Sequence, residues 1–213
     1  MSHLYPVYLR LEGQKCVVVG GGQVAARKVA SLLECGAAVT VISPHVTPEL
    51  ADLSRRQLIT YHQRPYRSGD LDGAFLVISA TDDEQVNQQV AHDAQTQKIL
   101  VNVVDDPTYC SFYVPSVIRR GSLCISISTE GKSPLLARKL REELAARFGP
   151  EYGILVDILG EARVEVLERI ADPAQRRYIF NQLVELDLIT LIKEGKVDLV
   201  KERVAQCLSS LSD

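Results

Sequence analysis

Two places in the sequence combine residue types and spacing that could do chemistry. The first is Gly20-Gly21-Gly22-Gln23-Val24-Ala25, which fits G-x-G-x-x-A. Glycine at the first position permits a tight turn, and the next motif glycine lets the backbone approach a pyrophosphate. A small third residue lets a helix pack closely on a strand. Exposed N–H groups and the helix dipole then attract phosphates. The second place is a pair of acidic doublets, Asp82-Asp83 and Asp105-Asp106. A carboxylate beside a nicotinamide can serve as a general base with its pKa tuned by the site. Asp82 and Asp83, with Thr81, can equally cap a helix, and Asp105 and Asp106 precede Pro107, where they can be ordinary turn residues.

The elements that must position these residues are legible in the apolar pattern. Lys15–Val19 reads as a strand and Gln23–Leu33 as a helix stopped at Gly36. Strands are expected at Ala38–Ile42, Leu58–Tyr61, Ala74–Ser79 and Ile99–Val104, with a helix from the Thr81-Asp82-Asp83 cap to about Gln97. Such alternation implies an α/β fold, a Rossmann-type parallel sheet with helices on both faces, whose ligands lie at the carboxyl ends of the strands. Beyond residue 112 the pattern changes. Two strands, Ser111–Val117 and Ser122–Ser128, flank an Arg120-Gly121 turn, and a helix opens at Ser133-Pro134 and breaks at Gly149-Pro150. The remainder is helical, with one face formed by Leu155, Ile158, Ala162, Val166 and Ile170 and later helices near Leu188–Lys193 and Val197–Leu208. The expected organisation is a nucleotide-binding domain over 1–113, a small α+β segment over 114–150 and a helical C-terminal domain over 151–213.

Within a dinucleotide site, Gly20, Gly22, Gln23 and Val24 are expected at the pyrophosphate, with Thr81 also among the coenzyme contacts. An acidic residue usually ends the second strand and holds the ribose hydroxyls. Here that place is taken by Ser43, followed by Pro44 and His45, whose backbone groups are the expected ribose contacts. The first arginine after that strand is Arg55, which favours NAD over NADP.

Composition bounds the function class. The chain has 213 residues, 46% hydrophobic and 24% charged, with no apolar run of membrane-spanning length, and its first residues lack the apolar core of a signal peptide. A cytoplasmic protein is expected. Five cysteines without a CxxC, and His3, His45, His62 and His92 without ligand spacing, argue against a metal site or a disulfide framework. Between Pro115 and Arg141, Arg119, Arg120, Lys132, Arg138, Lys139 and Arg141 face Glu130 alone, a net of +5; the whole chain is −3, so the rest carries −8. This segment is either a solvated helix face plus a turn, or a site for a polyanionic ligand. The aromatic interleaving and overall basic charge of a nucleic-acid binder are absent.

Taken together, GGGxVAxRK (Gly20–Lys28), SATDDxxVN (Ser79–Asn87), NVVDxP (Asn102–Pro107), SFxxPSxIxRG (Ser111–Gly121) and ISxxGxSPxLARxLRExL (Ile127–Leu144) resemble the precorrin-2 dehydrogenases of siroheme synthesis. That family includes the N-terminal module of bacterial siroheme synthase. The resemblance covers roughly residues 3–150. It implies oxidation of precorrin-2, an octacarboxylate tetrapyrrole, to sirohydrochlorin with NAD as hydride acceptor. It further implies Asp105 as the acid/base and a homodimer interlocked through about 114–150. Arg119, Arg120, Lys132 and Arg138 become candidates for the substrate carboxylates. Bifunctional members also insert iron at the same aspartate, so a dehydrogenase–ferrochelatase is the alternative. A non-catalytic NAD-sensing module, which would need the glycines but not Asp105 or the basic tract, is a further one. The methyltransferase part of the fused enzyme has no counterpart in these residues.

Overall fold

Alternating β-branched runs and amphipathic stretches produce two compact units, Met1–Val114 and Pro115–Asp213, in a computed structural model that describes residues 3–210. The ends of the expected domains at 1–2 and 211–213 lie outside the described residues. In the first unit, β1 (Lys15–Val19), β2 (Ala38–Ile42), β3 (Thr60–His62), β4 (Leu76–Ser79) and β5 (Leu100–Val103) form one sheet in the order β3-β2-β1-β4-β5. Every pairing is parallel. Strands buried on both faces need apolar residues at successive positions. Accordingly Cys16 and Val18 face one core with Leu76 and Ile78, while Val17, Val19 and Val77 face the other. Helix α1 (Gln23–Glu34) supplies Ala25, Ala26, Val29 and Leu32 to the first core; α3 (Glu84–Thr96) supplies Val90, Ala91 and Ala94 to the second.

The boundaries of β1 and β2 coincide with expectation, while the third strand is shifted and the fourth and fifth are shorter. An additional helix, α2 (Pro48–Arg55), follows Thr47, whose hydroxyl accepts from the Leu50 amide. The expected Ser111–Val117 strand begins only at Ser116. Its first part is instead tied back to β5: Ser111 N–H donates to Val101 O at 2.8 Å, and Val101 N–H to Ser111 Oγ at 2.8 Å. Pro115, which has no amide hydrogen, then separates this tether from the next strand.

The second unit opens with an antiparallel hairpin, β6 (Ser116–Arg120) and β7 (Leu123–Ile127), followed by α4 (Pro134–Arg147), α5 (Glu151–Arg169), α6 (Pro173–Glu185), α7 (Leu188–Lys193) and α8 (Val197–Ser210). Ile158, Ala162, Val166, Ile179, Leu183, Leu188 and Val200 form its core. Contacts run across the expected break at residue 150. The Arg120 guanidinium donates from Nε to Phe148 O at 3.0 Å and from Nη2 to Ala145 O at 3.3 Å. A Cβ placed on Gly153 would stand 3.0 Å from the Arg120 carbonyl, so glycine lets α5 approach the hairpin. Among the described residues no helix is long and apolar enough to cross a membrane.

Candidate coenzyme and catalytic site

The carboxyl ends of β1, β4 and β5 are locked side by side. Ala80 N–H donates to Val19 O at 2.7 Å, and Val104 N–H donates to Ser79 O at 2.9 Å. Gly20, Ala80 and Val104 thus form one row, each a residue past its strand. With neighbouring strands spaced about 4.8 Å apart, the turn after β5 stands roughly 10 Å from the glycine turn. Sheet order reverses between β1 and β4, the crevice where open α/β sheets bind dinucleotides. Residues after β2 therefore fall on one side of that crevice, and those after β4 and β5 on the other.

The glycine run divides its labour differently from the motif reading. A Cβ on Gly20, at φ +121°, would lie 2.1 Å from Ala80 O. One on Gly21 would lie 1.9 Å from His45 O and 2.8 Å from Ser43 Oγ. Both residues must be glycine to let three loops converge, and the Gly21 requirement was not apparent from the sequence. At Gly22 a Cβ would meet nothing within 4 Å. Gly22 is also the N-cap of α1, with no side-chain cap and no acidic residue in the first turn. By contrast α2 and α3 are capped by Thr47 and Asp83. Open space in front of uncapped amides at Gly22, Gln23 and Val24 is the arrangement a pyrophosphate fits. Gly22 and Gln23 are exposed and Val24 half-buried.

Beyond β2, Ser43 is buried and braces the loop. Its Oγ donates to His45 O at 2.7 Å and its own carbonyl accepts from Tyr61 Oη at 3.0 Å. Burial pushes the Tyr61 phenol up. The Ser43 side chain is therefore engaged within the loop, and Pro44 and His45 are the exposed parts. Beyond β4, Thr81 Oγ1 accepts from Asp83 N–H at 3.2 Å and its carbonyl from Asn87 Nδ2 at 3.0 Å. Asp83 is the α3 cap, accepting from Gln85 and Val86 amides. Asp82 is exposed.

The β5 doublet also separates into two duties. Asp106 Oδ1 accepts from Thr108 N–H at 3.0 Å and starts a 3-10 turn, Pro107–Tyr109. Asp105 is exposed, at φ +62°, a left-handed conformation that Asp tolerates better than most residues. Its carboxylate makes no hydrogen bond among the described residues. Behind it the Cys110 thiol donates to Val103 O at 3.3 Å or Asp106 O at 3.2 Å, and buried Asn102 donates to Phe112 O at 3.0 Å. Burial pushes the Cys110 thiol up, so it remains a thiol that can donate. These bonds hold the turn so that Asp105 projects from a fixed base.

In the second unit, the four candidate cations have distinct environments. Arg119 is exposed on β6. Arg120 is committed to α4 carbonyls as described, so it acts as a strut within its unit. Lys132 lies 3.8 Å from Glu130, and Arg138 Nε 2.9 Å from Glu142, both pairs at the surface. Glu142 is held below the usual carboxylate range by its hydrogen bond from Arg138, with Arg141 adding to it. Among the described residues no group of three or more His, Cys, Asp or Glu side chains could hold a metal ion.

Three family models match in succession: putative NAD(P)-binding over residues 7–116, sirohaem biosynthesis protein central over 120–147, and sirohaem synthase dimerisation region over 151–208. The dimerisation description thus falls on the helical stretch after residue 150. The chain is 40% identical over 206 residues to a siroheme synthase of Thioalkalivibrio sulfidiphilus, covering 97% of this chain and 42% of that one. A siroheme synthase of Photorhabdus laumondii is 38% identical over 203 residues, covering 95% and 43% respectively. The chain spans less than half the length of these curated relatives. Among solved structures, SirC, a precorrin-2 dehydrogenase, superposes with a TM-score of 0.77 at 28% identity over 98% of both chains. With these three regions in this order on a five-stranded parallel sheet, the chain belongs to the putative NAD(P)-binding family matched at residues 7–116, continued by the sirohaem synthase central and dimerisation regions.

Proposed function

We propose that the protein is an NAD-dependent precorrin-2 dehydrogenase, oxidising precorrin-2 to sirohydrochlorin in siroheme biosynthesis as a cytoplasmic homodimer. The observation that carries this reading is the single row of strand ends. It sets the uncapped amides after Gly22 on one side of Ala80 and the free Asp105 carboxylate on the other. Gly20, Gly22, Gln23 and Val24 hold the pyrophosphate, with backbone groups of Ser43, Pro44 and His45 at the ribose and Thr81 along the coenzyme's path. Bound there, NAD supplies the hydride acceptor. Asp105, on the β5 side of the sheet reversal, takes the proton that leaves the macrocycle as its hydride departs. A positioned carboxylate of this kind contributes roughly 10²–10⁴ in rate. Arg119, Arg120, Lys132 and Arg138 are the proposed partners of the substrate's carboxylates, and Arg120 also braces the hairpin that carries Arg119. The dimerisation region matched at 151–208, and exposed Leu135, Leu136 and Val184, support association of two copies. Five cysteines, none in a disulfide among the described residues, suit a reducing compartment. The domain division proposed is a coenzyme domain to residue 113, a substrate and dimer segment over 114–150, and a helical domain beyond.

Supplying precorrin-2 with NAD, and separately with NADP, tests the reading. Reduced nicotinamide and sirohydrochlorin should appear together with NAD. Absence of both with either coenzyme overturns it.

A further inference from the structure

Asn87 is assigned no part in the site so far, although it closes the Ser79–Asn87 motif. Ser79, the last residue of β4, is 1% exposed, and a hydroxyl so buried needs a partner. It donates to Asn87 Oδ1, on the first turn of α3, at 2.6 Å. Asn87 Nδ2 in turn donates to Thr81 O at 3.0 Å. A carbonyl can only accept, so the Thr81 oxygen fixes which way the Asn87 amide faces and leaves Oδ1 to the Ser79 hydroxyl. One side chain on α3 thus ties the end of β4 to the loop that follows it.

The tie determines what Thr81 has left to offer. Its carbonyl is taken by Asn87, and its Oγ1 already accepts from Asp83 N–H at 3.2 Å. The hydroxyl hydrogen and the Thr81 N–H make no hydrogen bond among the described residues. Thr81 is half-buried, and a Cβ placed on Gly20 would stand 3.2 Å from its amide nitrogen, so the residue adjoins the glycine turn. Half-buried donors that the protein leaves unbonded are costly unless solvent or a ligand takes them. By the sheet order, Thr81 lies on the β4 side of the reversal, across the crevice from the loop after β2, where the adenosine ribose is expected. The β4 side therefore faces the other half of a dinucleotide, whose ribose and carboxamide oxygens are acceptors.

We propose that Asn87 is a positioning residue for the nicotinamide half of the coenzyme: by holding the Thr81 carbonyl, it presents the Thr81 hydroxyl and amide to the oxygens of that half. This rests on the reading of the glycine turn as a dinucleotide site. Asn87 touches no atom of the coenzyme; it acts through Thr81, and Ser79 steadies its amide.

Calorimetry with NAD and with ADP tests this without substrate, because ADP carries the adenosine and the pyrophosphate but not the nicotinamide half. Thr81→Val removes the hydroxyl and should weaken NAD roughly tenfold while ADP keeps its wild-type affinity; Thr81→Ser should restore NAD. Asn87→Asp keeps the acceptor for Ser79, removes the donor to Thr81, and should show the same split. A thermal melt verifies that each variant folds. Should Asn87→Asp not fold, Asn87→Ala, which suits a helix, takes its place with the same expectation. Wild-type NAD affinity in the Thr81→Val or the Asn87 variant overturns the proposal. So does an equal loss for NAD and ADP, which would mean a disturbed pyrophosphate turn. Precorrin-2 turnover separates the two readings: a wild-type chain that binds NAD but yields no sirohydrochlorin fails as a dehydrogenase and leaves this proposal to the calorimetry. A wild-type chain that does not bind NAD overturns both.

Discussion

Gly21 and Gly22 are adjacent and chemically identical, yet they should respond oppositely to the same substitution. A methyl on Gly21 would overlap His45 O, a backbone atom that cannot swing aside. Gly21→Ala is therefore expected to cost about 3 kcal/mol or more of stability, measured by urea denaturation. A methyl on Gly22 meets no protein atom, and its φ of −81° suits alanine. Gly22→Ala should keep wild-type stability and bind NAD at least tenfold more weakly by calorimetry, since the methyl occupies the approach to the uncapped amides. The reverse ranking would remove Gly22 from the pyrophosphate site. The glycine motif was readable because its turn, strand and helix are local. The steric demand at Gly21 was not, because it comes from a loop over twenty residues away. Asp106 illustrates the same limit: its neighbour Asp105 has the same side chain, and only the bond to Thr108 distinguishes the cap from the free carboxylate.

At the scale of elements, alternation and apolar runs were enough to delimit β1 and β2 and to call for a parallel sheet. Helix α2 escaped notice because it is short and lies among prolines, although Thr47 followed by Pro48 is an N-cap and first-turn signature. The strand begun too early, at Ser111, shows the opposite error: an extended, apolar stretch whose hydrogen bonds go to β5 through the Ser111 side chain rather than to a hairpin partner. Between β3 and β4, Arg64 grips Asp70 through both guanidinium nitrogens, at 2.8 and 2.7 Å, and Asp70 also accepts from Arg67 N–H. The hydrogen bond from Arg64 holds Asp70 below the usual carboxylate range. A depressed carboxylate stabilises the fold above its unfolded pKa of about 3.9, and that contribution is lost as pH falls through the folded value. Arg64→Gln should thus lower the urea midpoint at neutral pH, and the gap from wild type should close as pH falls below about 4. A gap that persists at low pH would mean the arginine acts through packing. In the second unit, Arg120→Met should cost about 2 kcal/mol by loss of its bonds to Ala145 and Phe148 carbonyls, measured by thermal melting.

For the whole molecule, the charge pattern was the feature most open in the sequence and least resolved by it. The +5 segment suggested a site for a polyanion, but several of its cations turn out to serve surface ion pairs or, for Arg120, the joining of hairpin to α4. Exposed ion pairs of this type contribute little to stability and open readily to a competing carboxylate. A homodimer should sediment at twice the 23.5 kDa chain mass, and a monomer at micromolar concentration would oppose the association proposed. Family membership was legible because five short motifs occur in order, each tied to a turn or a cap that the sheet requires. The most direct measurement is precorrin-2 turnover by Asp105→Asn at saturating NAD, with coenzyme binding measured in the same preparation. The expected result is unchanged NAD affinity with a loss of turnover of roughly 10²–10⁴. Near wild-type turnover by Asp105→Asn would contradict the assignment of the proton to this carboxylate.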